Sequence, residues 1–454
     1  MYIYSVLLTL LGIGLGVAGS HTANTTCTME MFGDDFNAYM ACKAQFALQS
    51  NWWPSPIAGL FSYQVWNGYD GFWEDGIALE TFTNFIAFVG NNTRYQDVIK
   101  SSVRELYSLL EAYGPYPSFD DMAWYALSYA RIYEVFGWDE FLKSSIEVDG
   151  WLWKTAWDKT SNCSGGMWFD YDFRQKVSIT NLECIQVAGK LFRFTKNVKY
   201  LLHMKKIWNW VIQNGIIDNT TYLVHDGALN NCTGNNFFGP TYLGGTLIGG
   251  LVEFYKIYKK ESYLDLANKI AQAEIRNSTN IYTGALTEWC EPNCNDDEKM
   301  FKGIFVRNLR YLMDVLKDPK QRQEYQEYLN LNIQTNLLYN MCDKVPIHKC
   351  NITFKDGPPF YNVSGPLFSP NWNGPFTVGA PMQQTAVLDL FIAAIKPGTN
   401  CTGEYCNFSP NYPKPQPMTC KDYPCPKDQP CCQYSSTSYT CCTSDQKCLS
   451  GICT

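Results

Sequence analysis

The sequence predicts an all-α protein, six helix pairs closed into an (α/α)6 barrel, with a small disulfide-rich module at its C-terminal end. Two patterns carry the barrel. Six dense apolar segments open near Phe72, Phe119, Ser178, Thr241, Phe301 and Gly379, led in by glycine or polar residues and recurring roughly every 50 to 80 residues. Between them lie amphipathic stretches at 93–112, 139–157, 197–213, 261–276 and 319–341, with a leading helix at 35–52. A helix apolar all round needs burial on every side, and one with a polar face needs a wet side. The first set therefore reads as an inner ring and the second as an outer ring. A helical solenoid is the alternative, but solenoids seldom carry such long, irregular connections between helix pairs. The third observation concerns the tail, where eight cysteines fall within residues 420–453. A segment that short cannot bury a sufficient core, so crosslinks must hold it.

Taken from the front, residues 1–20 form an apolar run ending Gly16-Val17-Ala18-Gly19-Ser20. It reads as a secretory signal peptide cut near Gly19, although the usual basic n-region is missing. No later stretch reaches the ~20 apolar residues that cross a bilayer. The hydrophilic Gly451-Ile452-Cys453-Thr454 offers no removable hydrophobic tail for a lipid anchor. Sequons at Asn24, Asn91, Asn162, Asn219, Asn231, Asn277, Asn351, Asn362, Asn400 and Asn407 agree with a secretory route. Nineteen cysteines point to disulfides and an oxidising compartment. With only four His and no tight Cys-x-x-Cys spacing, neither a metal site nor a cofactor is expected. A net charge of −7 argues against nucleic acid and against a polybasic membrane face.

The chemistry centres on Pro117-Ser118-Phe119-Asp120-Asp121-Met122-Ala123-Trp124. Two carboxylates stand side by side where a long apolar helix begins. Adjacent helical residues project about 100° apart, so both can reach one cleft. The free N–H groups and positive end of the helix help keep one of them ionised. Cleavage of a glycosidic bond needs such a pair, one carboxyl to attack or activate water and one to protonate the leaving oxygen. Ser118-x-x-Asp121 also fits a capping box, a purely structural use of the same residues. No G-x-S-x-G elbow, P-loop or H-E-x-x-H competes as a catalytic set.

Asp120-Asp121 with Trp124 three residues on resembles the catalytic aspartate pair of glycoside hydrolase family 76. Its members are endo-acting α-1,6-mannanases, together with fungal relatives described as transferring glycosyl-phosphatidylinositol glycans onto wall polysaccharide. The resemblance runs from about Asp34 to Ile395 and implies the same (α/α)6 barrel. It also implies a retaining double displacement with Asp120 as nucleophile and Asp121 as general acid/base. Further motifs support it at the starts of the inner helices, which should ring one mouth. Gly71-Phe72-Trp73-Glu74-Asp75-Gly76 resembles the family's aromatic start, with Trp73 to stack on a sugar and Asp75 to bind hydroxyls. Gly165-Gly166-Met167-Trp168-Phe169-Asp170 is similar to its glycine-rich loop, with Trp168 as a flat face. Lys176-Val177-Ser178-Ile179-Thr180-Asn181 resembles its polar helix start, with Asn181 as a hydrogen-bonding residue. Asp226-Gly227 matches its Asp-Gly turn, which any tight turn would also favour.

The fourth inner helix departs from the pattern. Where the family commonly reads Tyr-Asn-Gln-Gly, this chain has Tyr242-Leu243-Gly244-Gly245. Two amides that could bind hydroxyls are lost, and Tyr242 remains as a candidate contact. In the fifth, Arg307 either reaches the cleft or ties helices together, and the second use is favoured.

Among the body's cysteines, Cys290 with Cys294, Cys342 with Cys350 and Cys401 with Cys406 can pair across short loops. Cys163 and Cys232 can staple the cleft wall. Cys27, Cys42 and Cys184 remain, and the odd total leaves at least one thiol unpaired or paired between chains. The expected organisation is a barrel domain over 27–406, a stiff proline-rich linker over 407–419 and the cysteine-rich module over 420–454. The module's spacing resembles the front half of a granulin, though the later doubled cysteines are single here; wall or glycan attachment is ranked ahead of protein binding and of mere protease resistance as its role. Three readings of the whole stand: a secreted α-1,6-mannanase acting on mannan or other mannose-containing glycans, a transglycosidase using the same aspartates, and a carbohydrate-binding protein on an inactive barrel. The presence of both aspartates argues against the third.

Overall fold

The computed structural model describes residues 27–53, 72–90, 96–113, 117–160, 162–343, 350–352, 364–402 and 406, with short pieces between 430 and 453. The expected signal peptide and linker lie outside the described residues. Within them the chain runs through α1 (Phe36–Trp52), α2 (Phe72–Val89), α3 (Gln96–Ser101), α4 (Leu106–Tyr113), α5 (Phe119–Phe136), α6 (Asp139–Thr155) and α7 (Ser178–Thr195). It continues through α8 (Val198–Gln213), α9 (Thr241–Tyr258), α10 (Glu261–Ser278), α11 (Phe301–Val315), α12 (Pro319–Thr335) and α13 (Pro381–Ala393).

Helices α2, α5, α7, α9, α11 and α13 each pack on the next, and α13 closes the ring on α2. Helices α6, α8 and α10 back α5, α7 and α9 from outside, α12 lies across α11 and α13, and α1 covers α13. The protein is therefore an (α/α)6 barrel. The inner helices begin at or within two residues of the six expected positions. Composition explains why they can be inner: every residue of α13 is buried, as are nearly all of α2 and α9. Two glycines allow the ring to close tightly. A Cβ on Gly245 would meet the Phe305 backbone at 2.7 Å, and one on Gly303 would meet the Ala386 backbone at 2.6 Å. One expectation is corrected: the outer stretch 93–112 is not one helix but α3 and α4. Ser102 turns its hydroxyl onto the Ile99 carbonyl at 2.6 Å, and the Tyr129 hydroxyl donates to the Val103 carbonyl at 2.5 Å. Both bonds favour a turn over helix continuation.

The two ends of the ring differ in connection length. Inner helices α5, α7 and α9 end at Gly137, Lys196 and Lys259, all with positive φ, and the next outer helix follows at once. Outer helices return to inner ones through 156–177, 214–240, 279–300 and 336–380. The long connections thus all gather at the N-terminal mouth of the inner ring, where function is usually built on a rigid frame.

At the closed end, polar side chains satisfy one another. Glu134 meets Arg131 and Lys190 at 2.9 Å and Arg193 at 2.5 Å, while Glu253 meets Arg193 at 2.5 Å and Lys256 at 3.0 Å. Burial works to raise both carboxyls, but these cations outweigh it and hold them below the usual range. Midway along the barrel, Arg307 ties α11 to Glu80 of α2 at 3.0 Å and to Asp389 of α13 at 2.6 Å, the helix-tying use favoured above.

Disulfides join Cys163 to Cys232, Cys290 to Cys294, Cys342 to Cys350, Cys401 to Cys406 and also Cys27 to Cys42. Cys184, inside α7, is the free thiol among the described residues. In the tail, strand Cys431–Gln433 pairs with Tyr439–Cys441 and Cys448–Leu449 with Ile452–Cys453, both antiparallel. No helix among the described residues is long and apolar enough to cross a membrane.

Candidate active site

Asp120 and Asp121 are the second and third residues of α5, half-buried at the mouth. Two neighbours place that helix start. The Phe119 N–H donates to the Phe169 carbonyl at 2.8 Å, fastening α5 to the 165–170 loop. Tyr113, the last residue of α4, hydrogen-bonds through its hydroxyl to the Asp121 carboxylate. The capping-box reading is overturned, because the Ser118 side chain caps no N–H of the helix. Ser118 instead lies beside the Tyr113 hydroxyl and hydrogen-bonds to it.

The electrostatics set the two aspartates apart. Burial pushes Asp120 up to about 7; the helix-start N–H groups of Asp120 and Asp121 restrain it, while the charges of Asp297 and Asp170 push it further. Asp121 is pushed well above the usual range, by burial first and then by the Asp120 charge, with the Tyr113 hydrogen bond only partly opposing. Both carboxyls are thus raised and act on each other, so the pair holds a proton to higher pH than an ordinary carboxyl. One Asp120 oxygen is buried without a protein partner. Beneath the pair lie Glu74 and Glu183, fully buried, their carboxylate oxygens unpartnered and their acidities weakened by burial first and by neighbouring acids second. The arrangement can present a carboxylate and a carboxylic acid to one substrate atom pair.

The remaining predicted residues divide. Trp73 packs on Trp124 with ring centroids 5.9 Å apart, and its Nε1–H donates to Asp297 at 3.0 Å. Tyr242 stacks on Phe301 at 3.9 Å, its hydroxyl raised by burial and by the charges of Asp120, Asp226, Glu183 and Asp297. Tyr242 and Asp226 therefore stand by the aspartate pair, whereas Trp73 and Trp124, expected to face the sugar, are 6% and 2% exposed, their rings packed on each other and into the barrel core. Trp168 stands at the flank with the Lys176 ammonium 4.6 Å over its ring. Asp75 is buried beneath the mouth, where its charge acts on the Tyr125 hydroxyl, itself raised first by burial. Asn181 does not reach the cleft. Its amide accepts from Met167 N–H at 2.8 Å and donates to the Met167 and Val177 carbonyls, so it clamps the 165–170 loop.

Sequence reasoning missed Asp297, Glu74, Glu183 and Tyr113. Asp297 had a visible signal: Asp296-Asp297-Glu298 precedes the fifth inner helix much as Asp120-Asp121 opens the second. Glu183 had none, being one acid within an apolar helix. Among the described residues, the cluster with metal-ligating potential is Cys290, Cys294 and Glu298. Its two cysteines are joined to each other, so no thiolate is on offer.

A carboxylate pair at the mouth of a six-pair helical barrel places the protein in the class of (α/α)6-barrel glycoside hydrolases. The family model of glycosyl hydrolase family 76 matches residues 38–398, and the chain belongs to that family. Among curated relatives, a putative mannan endo-1,6-alpha-mannosidase of Schizosaccharomyces pombe is 31% identical over 175 residues, covering 36% of this chain and 38% of that protein. Mannan endo-1,6-alpha-mannosidase DCW1 of Candida glabrata is 23% identical over 348 residues, covering 70% and 71%. The chain thus spans little more than a third of the first relative's length. The solved structure of an inactive variant of α-1,6-mannanase GH76A of Salegentibacter sp. HEL1_6, in complex with α-1,6-mannotetrose, superposes with a TM-score of 0.63 at 20% identity, over 79% of this chain and 98% of that one. Dfg5 from Chaetomium thermophilum, in complex with glucosamine, gives 0.61 at 17%, over 80% and 91%. At these identities the likeness is one of fold.

Proposed function

We propose that the protein cleaves α-1,6-mannosidic bonds in a mannan-type glycan with retention of configuration. The carrying observation is the aspartate pair opening α5 at the mouth, both carboxyls raised by burial, Asp121 hydrogen-bonded by the Tyr113 hydroxyl and one Asp120 oxygen without a protein partner. In the first step the Asp120 carboxylate attacks the anomeric carbon as Asp121 protonates the departing oxygen. In the second, Asp121 takes a proton from water, which attacks the same carbon and releases Asp120. A sugar hydroxyl in place of water would give transfer instead, through the same residues. Tyr242 and Asp226, with Asp297 held by the Trp73 Nε1–H, line the position of the sugar undergoing attack. The names of the curated relatives support the linkage, and the neighbouring mannanase supports the pair, since its inactive form lacks two sequence-adjacent aspartates. The test is incubation with α-1,6-mannan, with and without an acceptor oligosaccharide, followed by product sizing and NMR of the newly formed anomer. An inverted anomer, or intact mannan, overturns the reading.

The location we propose is extracellular or within the cell wall. Its support is that all six sequon asparagines among the described residues, Asn162, Asn219, Asn231, Asn277, Asn351 and Asn400, are exposed. The five disulfides among the described residues agree with an oxidising compartment. The cysteine-rich tail would hold the enzyme on wall or glycan.

A further inference from the structure

On the mouth's rim, outside the carboxylate cleft, Phe237 and Trp289 stand 46% and 64% exposed, their rings meeting edge to face at 5.8 Å. Both belong to braced loops. The Phe237 carbonyl accepts from the Asp226 N–H at 2.9 Å, and the adjacent Phe238 stacks on His225 at 4.6 Å. The Cys163–Cys232 disulfide pins the same loop. Trp289 lies between Glu288, whose carboxylate accepts from the Thr241 N–H at the head of α9, and Cys290, bonded to Cys294. Glu291 then pairs with Lys302 of α11. These braces also give continuity with the cleft: Phe237 is bonded directly to Asp226, and Trp289 is coupled through Glu288 to the residue preceding Tyr242.

We propose that Phe237 and Trp289 form a distal subsite that packs against a pyranose ring of the glycan chain beyond the sugars at Asp120 and Asp121. This rests on the glycan-cleaving reading above. A sugar's C–H face suits the negative face of an aromatic ring, and a platform held in place loses little freedom on binding. The polar surroundings, with Asn235 bonded into the Phe237 loop, favour a hydroxyl-rich ligand over a purely apolar one. The same mouth carries Ile281 and Tyr282, 86% and 89% exposed, on a turn held by the Asn280 side chain. A long chain leaving the subsite meets further apolar rim there.

The test uses Trp289→Ala, Phe237→Ala and Trp289→Phe in the full chain, with α-1,6-manno-oligosaccharides of rising length. KM is read on the active protein, and affinity by calorimetry in an Asp120→Asn/Asp121→Asn background. The alanine variants should bind and process long chains roughly tenfold more weakly, change the shortest cleaved substrate less than twofold, and recover with Trp289→Phe. A loss equal at every length, or no loss at any, overturns the subsite while leaving the cleavage reading standing. So does sedimentation showing a wild-type dimer that Trp289→Ala splits, because the aromatics would then be a self-association face. Failure of the wild type to bind or cleave any of these chains overturns the cleavage reading and the subsite together.

Discussion

At the closed end of the barrel Glu134 and Glu253 stand among Arg131, Lys190, Arg193 and Lys256, whereas at the mouth Asp120, Asp121, Glu74 and Glu183 stand among other acids. The side-chain chemistry is the same and burial is comparable. What differs is the partner. With cations in hydrogen-bond range the closed-end acids are held ionised, and their pairs tie neighbouring helices. Without cations the mouth acids keep protons that ordinary carboxyls lose. One end uses buried charge to hold the ring together, and the other leaves its acids without a countercharge.

The largest effect that would break this division comes from the aspartates themselves. Asp120→Asn and Asp121→Asn should each lower turnover by about 10²–10⁴-fold or more. Their melting temperatures should hold or rise at neutral pH, since each change relieves a pair of buried acids that oppose each other's ionisation. Activity and calorimetry on the purified variants check this, and near-wild-type turnover in either would remove that aspartate from the mechanism. The reverse is expected midway along the barrel. Arg307→Ala leaves Glu80 and Asp389 buried without their cation and should cost about 3–5 kcal/mol of stability, read by denaturant unfolding. Activity per folded molecule should remain close to wild type. A large loss of turnover with little loss of stability would place Arg307 in the chemistry after all.

The pH dependence separates the two ends more finely. Glu134 and Glu253 have lowered folded-state pKa values, so their contribution is present above the ordinary carboxylate range and is lost as pH falls below it. Asp120 is raised from 3.8 to about 7, so its ionisation costs stability as pH climbs through that window. Melting temperature should therefore fall less between pH 5 and 8 in Asp120→Asn than in wild type, while both lose stability alike in strong acid. Identical profiles across pH 5–8 would mean that Asp120 titrates normally. The smallest effect concerns the tail. If the barrel's two ends divide stability and chemistry between them, a chain truncated after 406 should keep its rate on soluble oligosaccharide and lose retention on insoluble wall material. Loss of the soluble rate would make the tail part of the catalytic fold.

Much of the molecule was legible because each inner helix is densely apolar and opens near a glycine or polar break. That pattern placed Phe72, Phe119, Ser178, Thr241 and Phe301 at the starts of their helices. Asp120 and Asp121 were legible as adjacent acids at a helix start. Asn181 was misplaced because its residue type fits a sugar ligand as well as it fits a loop clamp. Only the position of the Met167 backbone decides between them. The outer helix at 93–112 was drawn as continuous because periodicity does not register the Tyr129 hydroxyl, which reaches Val103 from another helix.

The sequence by itself determined the ring of six pairs, because uniform burial and one-sided burial leave different marks on hydrophobic periodicity, and those marks are local. It also determined where the adjacent carboxyls of the mouth lie along the chain. Tertiary structure decided how far their acidities are shifted, since this depends first on burial and then on Asp297, Asp170 and Tyr113, each brought from another helix or loop against α5. The acidity of a carboxyl is set by burial and by charges within several ångströms, and in this barrel those charges come from residues distant in sequence.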